Sequence, residues 1–393
     1  MNKPKVMFVG GPDVDYRIDL MKRLSSQFRL IVAGSDPSLA ERFEGIGIRY
    51  YYYPLRRSFS PLSDFISLLK LVSIFREEKP DIVHTFDTKP SVIGRIAAKL
   101  AGAPFTVGTI TGLGTIYLKG SVYYYLLRVI NELSQWVACR VSDFTVFYNQ
   151  LDAQYYLNRR LVEKHKAVVI RGSGVETNRF SPQAMDTGAK ETLKRDLGIA
   201  PDQKVVSLVA RLVRSKGIKL YWNAAHAVRE SGTNACFLLI GPQDHESMDG
   251  LSLEEIDSMS QDIYWLGYRS DIENIFAISD VFVLPSGREG LPRVLAEAAA
   301  AGLPLIASNV PGCSEVVEDG VNGFLFAPGG GEDLIDAIKF LLNNETLRRS
   351  YGEASRRIAL ERLDIEVISK SISELYAKRK NHRVRDHVTR SAD

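Results

Sequence analysis

Short apolar runs recur through the first part of the chain, at Val6–Gly10, Leu30–Ala33, Ile48–Tyr53, Asp81–Phe86, Phe105–Ile110, Phe144–Phe147 and Ala167–Ile170. Between them lie longer stretches with helical periodicity. Runs that are apolar without strict alternation predict strands buried on both faces, the mark of a parallel sheet covered by helices. A polar stretch with proline and glycine, Gly172–Lys190, interrupts the rhythm. It restarts at Val205–Val209, Cys236–Ile240, Ile263–Leu266, Val281–Pro285, Pro304–Ser308 and Gly323–Phe326, which predicts a second α/β unit. The expected division is a first domain over 1–175, a linker over 176–195 and a second domain over 196–362. A terminal helix over 363–380, packing back toward the first domain, and a basic tail over 381–393 complete it.

Length agrees with this division, because 393 residues exceed what one hydrophobic core usually organises. Two such domains imply a cleft, and open parallel sheets bind ligands at the carboxyl ends of their strands. Chemistry is therefore expected in the loops that follow strands. Composition is that of a soluble globular protein, with 45% hydrophobic and 25% charged residues. Cys139, Cys236 and Cys313 are too scattered for a disulfide framework or a zinc site, so a cytoplasmic setting is expected. The apolar run Val6–Val9 is too short for an export signal, and no stretch approaches the roughly 18 apolar residues of a spanning helix. The net charge of +3 conceals an asymmetry: residues 1–180 carry 25 Lys and Arg against 16 Asp and Glu, and the remainder 25 against 31. A basic first half suits anionic lipid, anionic substrate or nucleic acid.

The densest chemistry lies at Arg288-Glu-Gly-Leu-Pro-Arg-Val-Leu-Ala-Glu, after the apolar run Val281–Pro285. Proline suits a first helical turn, so a helix is expected from about Pro292. Free N–H groups at Arg293, Val294 and Leu295, aided by the helix dipole, would receive a diphosphate, with Gly290 and Leu291 in the approach. Glu289, ahead of the helix, can accept from sugar hydroxyls, and Glu297, more than a turn inside it, from the two hydroxyls of a ribose. The competing structural reading is a helix start with one dipole-stabilising glutamate and one solvated glutamate.

The run from Glu289 to Glu297, continuing through Ala299-Ala-Ala-Gly-Leu-Pro to Pro311-Gly-Cys-Ser-Glu, resembles the E-x7-E signature of glycosyltransferase family 4. The resemblance is dense from Leu208 to Pro328 and looser in the first half. It implies the GT-B fold of two facing Rossmann-like, doubly wound α/β domains, retention of anomeric configuration, and no metal ion or other cofactor. Arg211 and Lys216, in Arg211-Leu-Val-Arg-Ser-Lys216-Gly217, fit the family's Arg-x4-Lys-Gly pattern. Physically, fixed cations there would stabilise the charge that develops on a departing nucleoside diphosphate. Gly267, Tyr268 and Arg269 lie where family members hold the base, with Tyr268 or Arg269 stacking on it. Gly241, in Gly241-Pro-Gln-Asp244, resembles a variant of the polysaccharide-assembly branch.

In the first half, Gly10-Gly11 after the first run lets backbone approach a donor, with Gly11 the contact. It is not a dinucleotide fingerprint. His84, Asp87, Thr111 and Gly112 follow later runs and are candidates for the acceptor side or the cleft. Thr111 stands where many family members carry a catalytic histidine, which argues against a histidine-assisted step; the Thr-Gly-Leu-Gly form resembles the lipid-linked oligosaccharide branch. The segments Pro61–Phe75 and Ile116–Val141 are apolar or tyrosine-rich with interspersed cations, so they suit either the core or an anionic bilayer surface.

The expected activity is transfer of a sugar, most simply from a UDP-sugar, to a hydroxyl of a glycan, with a polyprenyl-diphosphate-linked acceptor at the inner membrane face implied by the resemblance. The rivals are a sugar-nucleotide epimerase on the same fold and a nucleic-acid-binding protein using the basic half. The acidic second half and the lack of an RNA-binding aromatic motif oppose the latter, so no nucleic-acid partner is expected.

Overall fold

The computed structural model describes residues 3–56, 60–117, 120–244, 247 and 249–379, and the expected basic tail lies outside them. The chain divides into two compact units. One joins the chain up to Gly174 to the segment from Ile365 onward, and the other is the continuous span Val175–Asp364.

The first unit is built on strands β1 (Lys5–Val9), β2 (Arg29–Gly34), β3 (Arg49–Tyr52), β4 (Ile82–Thr85), β5 (Thr106–Ile110), β6 (Phe144–Phe147) and β7 (Ala167–Val169). They form one sheet in the order β3-β2-β1-β4-β5-β6-β7, with every pair parallel. Along β1, Val6 and Phe8 enter one core while Met7 and Val9 enter another. Both faces are thus dry, which is why the run is apolar without alternation. Helix Ile365–Ala377 completes the first core, burying Ile368, Ile372, Leu375 and Tyr376 against Val6, Phe8 and Phe28.

The second unit holds β8 (Lys204–Val209), β9 (Ala235–Ile240), β10 (Tyr264–Trp265), β11 (Val281–Leu284), β12 (Leu305–Ser308) and β13 (Gly323–Phe326). Their order is β10-β9-β8-β11-β12-β13, again all parallel. Each apolar run named from the sequence became a strand, within two residues at either end.

The stretch expected as a linker belongs to the second unit. Phe180 is buried there against Phe276, and residues Thr187–Asp196 form a helix whose cap, Asp186, accepts from the Ala189 N–H at 2.9 Å. Proline, glycine and polar composition suggested a connector, but one anchored phenylalanine and one capping aspartate are enough to order it.

In each sheet the strand order reverses once, between β1 and β4 and between β8 and β11. At such a point the two loops leave in opposite directions and open a crevice at the carboxyl ends of the strands.

Candidate active site

In the second unit the loops at the reversal are Ala210–Gly217, after β8, and Pro285–Pro292, after β11. The first is pinned by buried Leu212 and Val213, then closes in a short turn over Arg214–Lys216. Gly217 ends that turn at φ 74°, and a Cβ there would lie 2.0 Å from the Pro285 carbonyl oxygen. Only glycine allows the approach. The Gly287 N–H then donates to the Ser215 carbonyl at 2.9 Å. This stapling of two loops sets Lys216 Nζ 2.5 Å from Glu289 Oε1, with the carboxylate only 10% exposed. Two residues 73 positions apart therefore form one charged unit at the crevice. Cys313 lies close by, its thiol pushed well up, by burial first and by the Glu289 charge second.

Arg211, on the same loop as Lys216, donates through NH1 to Asp244 Oδ2 at 2.6 Å. Gly241, which leads to Asp244, has φ 145° and packs so tightly that a Cβ would stand 1.8 Å from the Ala210 carbonyl oxygen. Its N–H donates to the Gly267 carbonyl at 2.8 Å, and Trp265 Nε1 donates to the Gly241 carbonyl at 3.0 Å. Gly267 is left-handed, φ 66°. Beyond it Tyr268 is exposed, free to lie on a flat ligand. Arg269 is held in plane by Asp271 through Nε to Oδ1 at 2.9 Å and NH2 to Oδ2 at 2.6 Å. Burial pushes the Asp271 carboxyl up, but hydrogen bonds from Arg269 and Asn274 bring it below the usual range. Of the two stacking candidates, Tyr268 is the one not already committed.

The helix after β11 spans Arg293–Ala300, and Pro292 is its cap in extended geometry, φ −72° and ψ 110°, rather than its first residue. One expected donor is lost: the Leu295 N–H donates to the Pro292 carbonyl at 3.1 Å. A tight first turn bonds to the residue three back, which the proline spacing did not reveal. Among the described residues the Val294 N–H meets no protein acceptor. Glu297 Oε1 accepts from Arg293 Nε at 2.8 Å, one turn apart on the helix. Gly290 and Leu291 lie against Gly312, where a Cβ would come within 2.5 Å of the Gly290 carbonyl, so this backbone too is closely packed. At the carboxyl ends of β11 and β12, the buried hydroxyls of Ser286 and Ser308 have no hydrogen-bond partner among the described residues. No sequence pattern marked either serine.

In the first unit, Gly10 is required by the fold, since a Cβ would meet Val14 at 2.8 Å. Gly11 is not: its nearest such contact is 3.4 Å, at the far end of Asp13. Asp87 follows β4 with a left-handed backbone, φ 69°, unusual for a side chain other than glycine. Its Oδ1 accepts from Arg17 NH2 at 2.9 Å and from Thr111 Oγ1 at 3.1 Å. Gly112 is partly exposed beside Thr111. Arg17, which the sequence did not single out, is buried, with its guanidinium 4.4 Å from the Phe86 ring centre. Burial opposes its charge, but Asp87 and then Tyr148 raise its pKa above the ordinary value.

His84 does not reach the crevice. It is 1% exposed, with Nδ1 2.6 Å from the Tyr376 hydroxyl and Nε2 2.7 Å from Thr109 Oγ1. Burial, and then the charge of Arg17, lower its pKa to about 3, so it is a neutral structural pin. Its place at the end of a β4 run suggested the crevice, but side chains alternate across a strand and this one points into the core.

Comparison with known proteins bears on both units. Residues 189–358 match the family described as glycosyl transferases group 1, and residues 5–139 the glycosyl transferase 4-like family. The N,N'-diacetylbacillosaminyl-diphospho-undecaprenol alpha-1,3-N-acetylgalactosaminyltransferase of Campylobacter jejuni is 28% identical over 371 residues, 93% of this chain and 96% of the relative. The UDP-Gal:alpha-D-GlcNAc-diphosphoundecaprenol alpha-1,3-galactosyltransferase of Escherichia coli is 30% identical over 305 residues, 76% of each. Of solved structures, a glycosyltransferase from Rickettsia africae ESF-5 has a TM-score of 0.80 at 18% identity, covering 96% of this chain and 99% of that one. Anabaena HepE, in complex with UDP, has a TM-score of 0.78 at 21% identity, covering 95% and 100%. Likeness at that identity speaks to the fold, which is of the GT-B class with two parallel-sheet Rossmann-like domains.

Proposed function

Because the chain belongs to glycosyltransferase family 4 and is therefore a sugar transferase, we propose that it moves a hexose or N-acetylhexosamine from a UDP-sugar to a hydroxyl of an undecaprenyl-diphosphate-linked glycan, with retention and without a metal ion. The observation that carries this reading is the charged unit at the β8–β11 reversal, Lys216 Nζ 2.5 Å from Glu289 Oε1 with Arg211 on the same loop. Cleavage of a glycosyl phosphate needs cations for the departing diphosphate and an acceptor for the sugar's hydroxyls, side by side. The anomeric carbon–oxygen bond to the diphosphate breaks, and the acceptor oxygen bonds to that carbon on the same face. The acceptor's proton passes to the departing diphosphate oxygen. Arg211 and Lys216 stabilise the charge that grows there, Glu289 orients the sugar, and Glu297 takes the ribose hydroxyls. The Val294 N–H, with Arg293, Gly290 and Leu291, receives the diphosphate, and Tyr268 covers the base. Within the first unit, Asp87, Thr111 and Gly112 are our candidates for acceptor binding.

The donor and acceptor classes draw support from the names of the Campylobacter and Escherichia relatives. An acceptor of that kind is membrane-bound, and we extend the proposal to peripheral attachment at the cytoplasmic face. Helix Pro61–Glu78 leaves Leu62, Phe65, Ile66 and Leu69 exposed at helical spacing, and helix Val122–Val141 leaves Leu126, Leu133 and Trp136 exposed. Arg140 lies 4.9 Å from the Trp136 ring centre, a pairing suited to an interface with anionic headgroups. Among the described residues no helix is long and apolar enough to cross a membrane.

The test is a thermal-shift screen of UDP-, GDP- and ADP-sugars, followed by turnover on a polyprenyl-diphosphate-linked sugar in vesicles. Stabilisation by UDP-sugars and acceptor-dependent UDP release are expected. Isomerisation of the donor sugar without an acceptor would make the protein an epimerase instead. Recovery wholly in the soluble fraction after flotation with anionic vesicles at low salt would remove the membrane attachment.

A further inference from the structure

The loop after β9 carries a carboxylate with no role in the chemistry above. Asp244 Oδ2 accepts from Arg211 NH1 at 2.6 Å, and among the described residues it is the only carboxylate within 4.0 Å of that guanidinium. An arginine fork has five donors. Asp244 occupies the NH1 corner, and among the described residues no protein acceptor takes the Nε–NH2 edge, the kind of edge that grips a phosphate through two parallel hydrogen bonds.

Asp244 is itself held. Its Oδ1 accepts the Ser247 N–H at 3.1 Å. Its loop is clasped to the Arg211 loop before and after Asp244: the Leu212 N–H donates to the Pro242 carbonyl at 3.0 Å, the Arg214 N–H to the Asp249 carbonyl at 2.8 Å, and the Ser215 N–H to Asp249 Oδ2 at 2.7 Å. Gly241 admits the close approach that begins this clasp. Asp244 is the point where a braced backbone reaches the cation's side chain. Without it, Arg211, half exposed on a strand-end loop, would lose rotamer freedom each time a ligand bound.

We propose that Asp244 is a positioning residue: it fixes Arg211 by one corner so that the opposite edge is presented, already oriented, to the donor's diphosphate. The inference rests on the assignment of Arg211 to that diphosphate. It separates Asp244 from Glu289 and Glu297, the two carboxylates assigned to the donor itself. Glu289 faces the sugar, whereas Asp244 acts only through Arg211.

A double-mutant cycle tests it, with UDP affinity from titration calorimetry and kcat/KM for the UDP-sugar as readouts. Asp244→Ala is expected to weaken UDP binding roughly tenfold, the scale of one charged hydrogen bond. Asp244→Glu should recover part of that loss. In an Arg211→Ala background, Asp244→Ala should change neither readout by more than about twofold, because its target is gone. Fully additive effects would overturn the inference, since a merely structural role for Asp244 predicts them. So would a variant that binds UDP more tightly than the parent, which would make Asp244 a competitor of the phosphate. Asp244→Asn, of the same shape, serves where the alanine variant does not fold, and the same cycle applies to it. If Arg211→Ala alone leaves UDP affinity unchanged, the diphosphate assignment of Arg211 fails first, and that result is distinct from additivity.

Discussion

Lys216→Ala separates a catalytic loss from a structural one. The substitution removes a cation 2.5 Å from a carboxylate that keeps a tenth of its surface in water. Hydrogen bonds to charged groups contribute about 1.5–3 kcal/mol, and the lysine is a quarter exposed, so screening reduces this to about 1–2 kcal/mol. For a unit of this size that corresponds to a melting temperature lower by roughly 2–8 °C. The variant should therefore remain folded at 25 °C. The rate should suffer far more, because removing one preorganised donor from developing charge costs about 10²–10³ in kcat. Glu289→Gln makes the comparison sharper. It leaves Lys216 intact and able to take up water, so stability should change by less than about 1 kcal/mol, while kcat again falls by about 10²-fold or more. The assay is UDP release with saturating donor and a lipid-linked acceptor, beside thermal melts of the same preparations. If both variants turn over within threefold of the parent, the charged unit is not the reaction centre. If rate falls only in proportion to the folded fraction, its role is structural.

Glu297→Gln should weaken UDP binding by roughly five- to tenfold with kcat within about twofold; unchanged affinity by calorimetry would remove its ribose role. His84, held neutral with its pKa lowered from 6.5 to about 3, makes stability depend on acid. Between those values the unfolded chain binds a proton that the folded protein refuses, so stability falls as pH drops through 6.5, by up to about 1.4 kcal/mol per unit. His84→Gln should flatten the fall in urea midpoint between pH 7 and pH 5, and identical slopes would refute the burial argument. Gly241→Ala forces a Cβ to 1.8 Å from the Ala210 carbonyl oxygen at an unfavourable φ. It should cost about 3 kcal/mol or more, or abolish soluble expression, and a variant of native stability would show that the two loops are not packed this closely.

The strands were legible because burial on both faces leaves little choice of residue, as Val281-Phe-Val-Leu shows. Their order was not legible: nothing in the runs says that β8 lies between β9 and β11, and that order makes the loops of Arg211 and Glu289 neighbours. Residue types of the site could be read because the charges of a diphosphate and the hydroxyls of a sugar demand cations and carboxylates. Their partners could not. The pairing of Arg211 with Asp244, and of Arg17 with Asp87, depends on loop paths across 33 and 70 residues, the first of them set by the close approach at Gly241. His84 was misplaced for a related reason, since its partner Tyr376 is 292 residues away and carries no local signal. The linker was misread because composition averages over a stretch, whereas order there depends on single anchors.

The helix Ile365–Ala377 has a consequence for how the chain is made. Its Ile368, Ile372, Leu375 and Tyr376 fill the core of the unit that begins at the other end of the sequence. A ribosome releases the continuous span 175–364 before it releases those four side chains. The later-encoded unit can therefore settle first, while the earlier one waits with Phe8, Phe28 and His84 uncovered, a reversal of the usual amino-to-carboxyl order of domain folding. A nascent chain arrested before residue 365 exposes that apolar surface, so the helix Ile365–Ala377 acts as the closing step of biogenesis for the first unit.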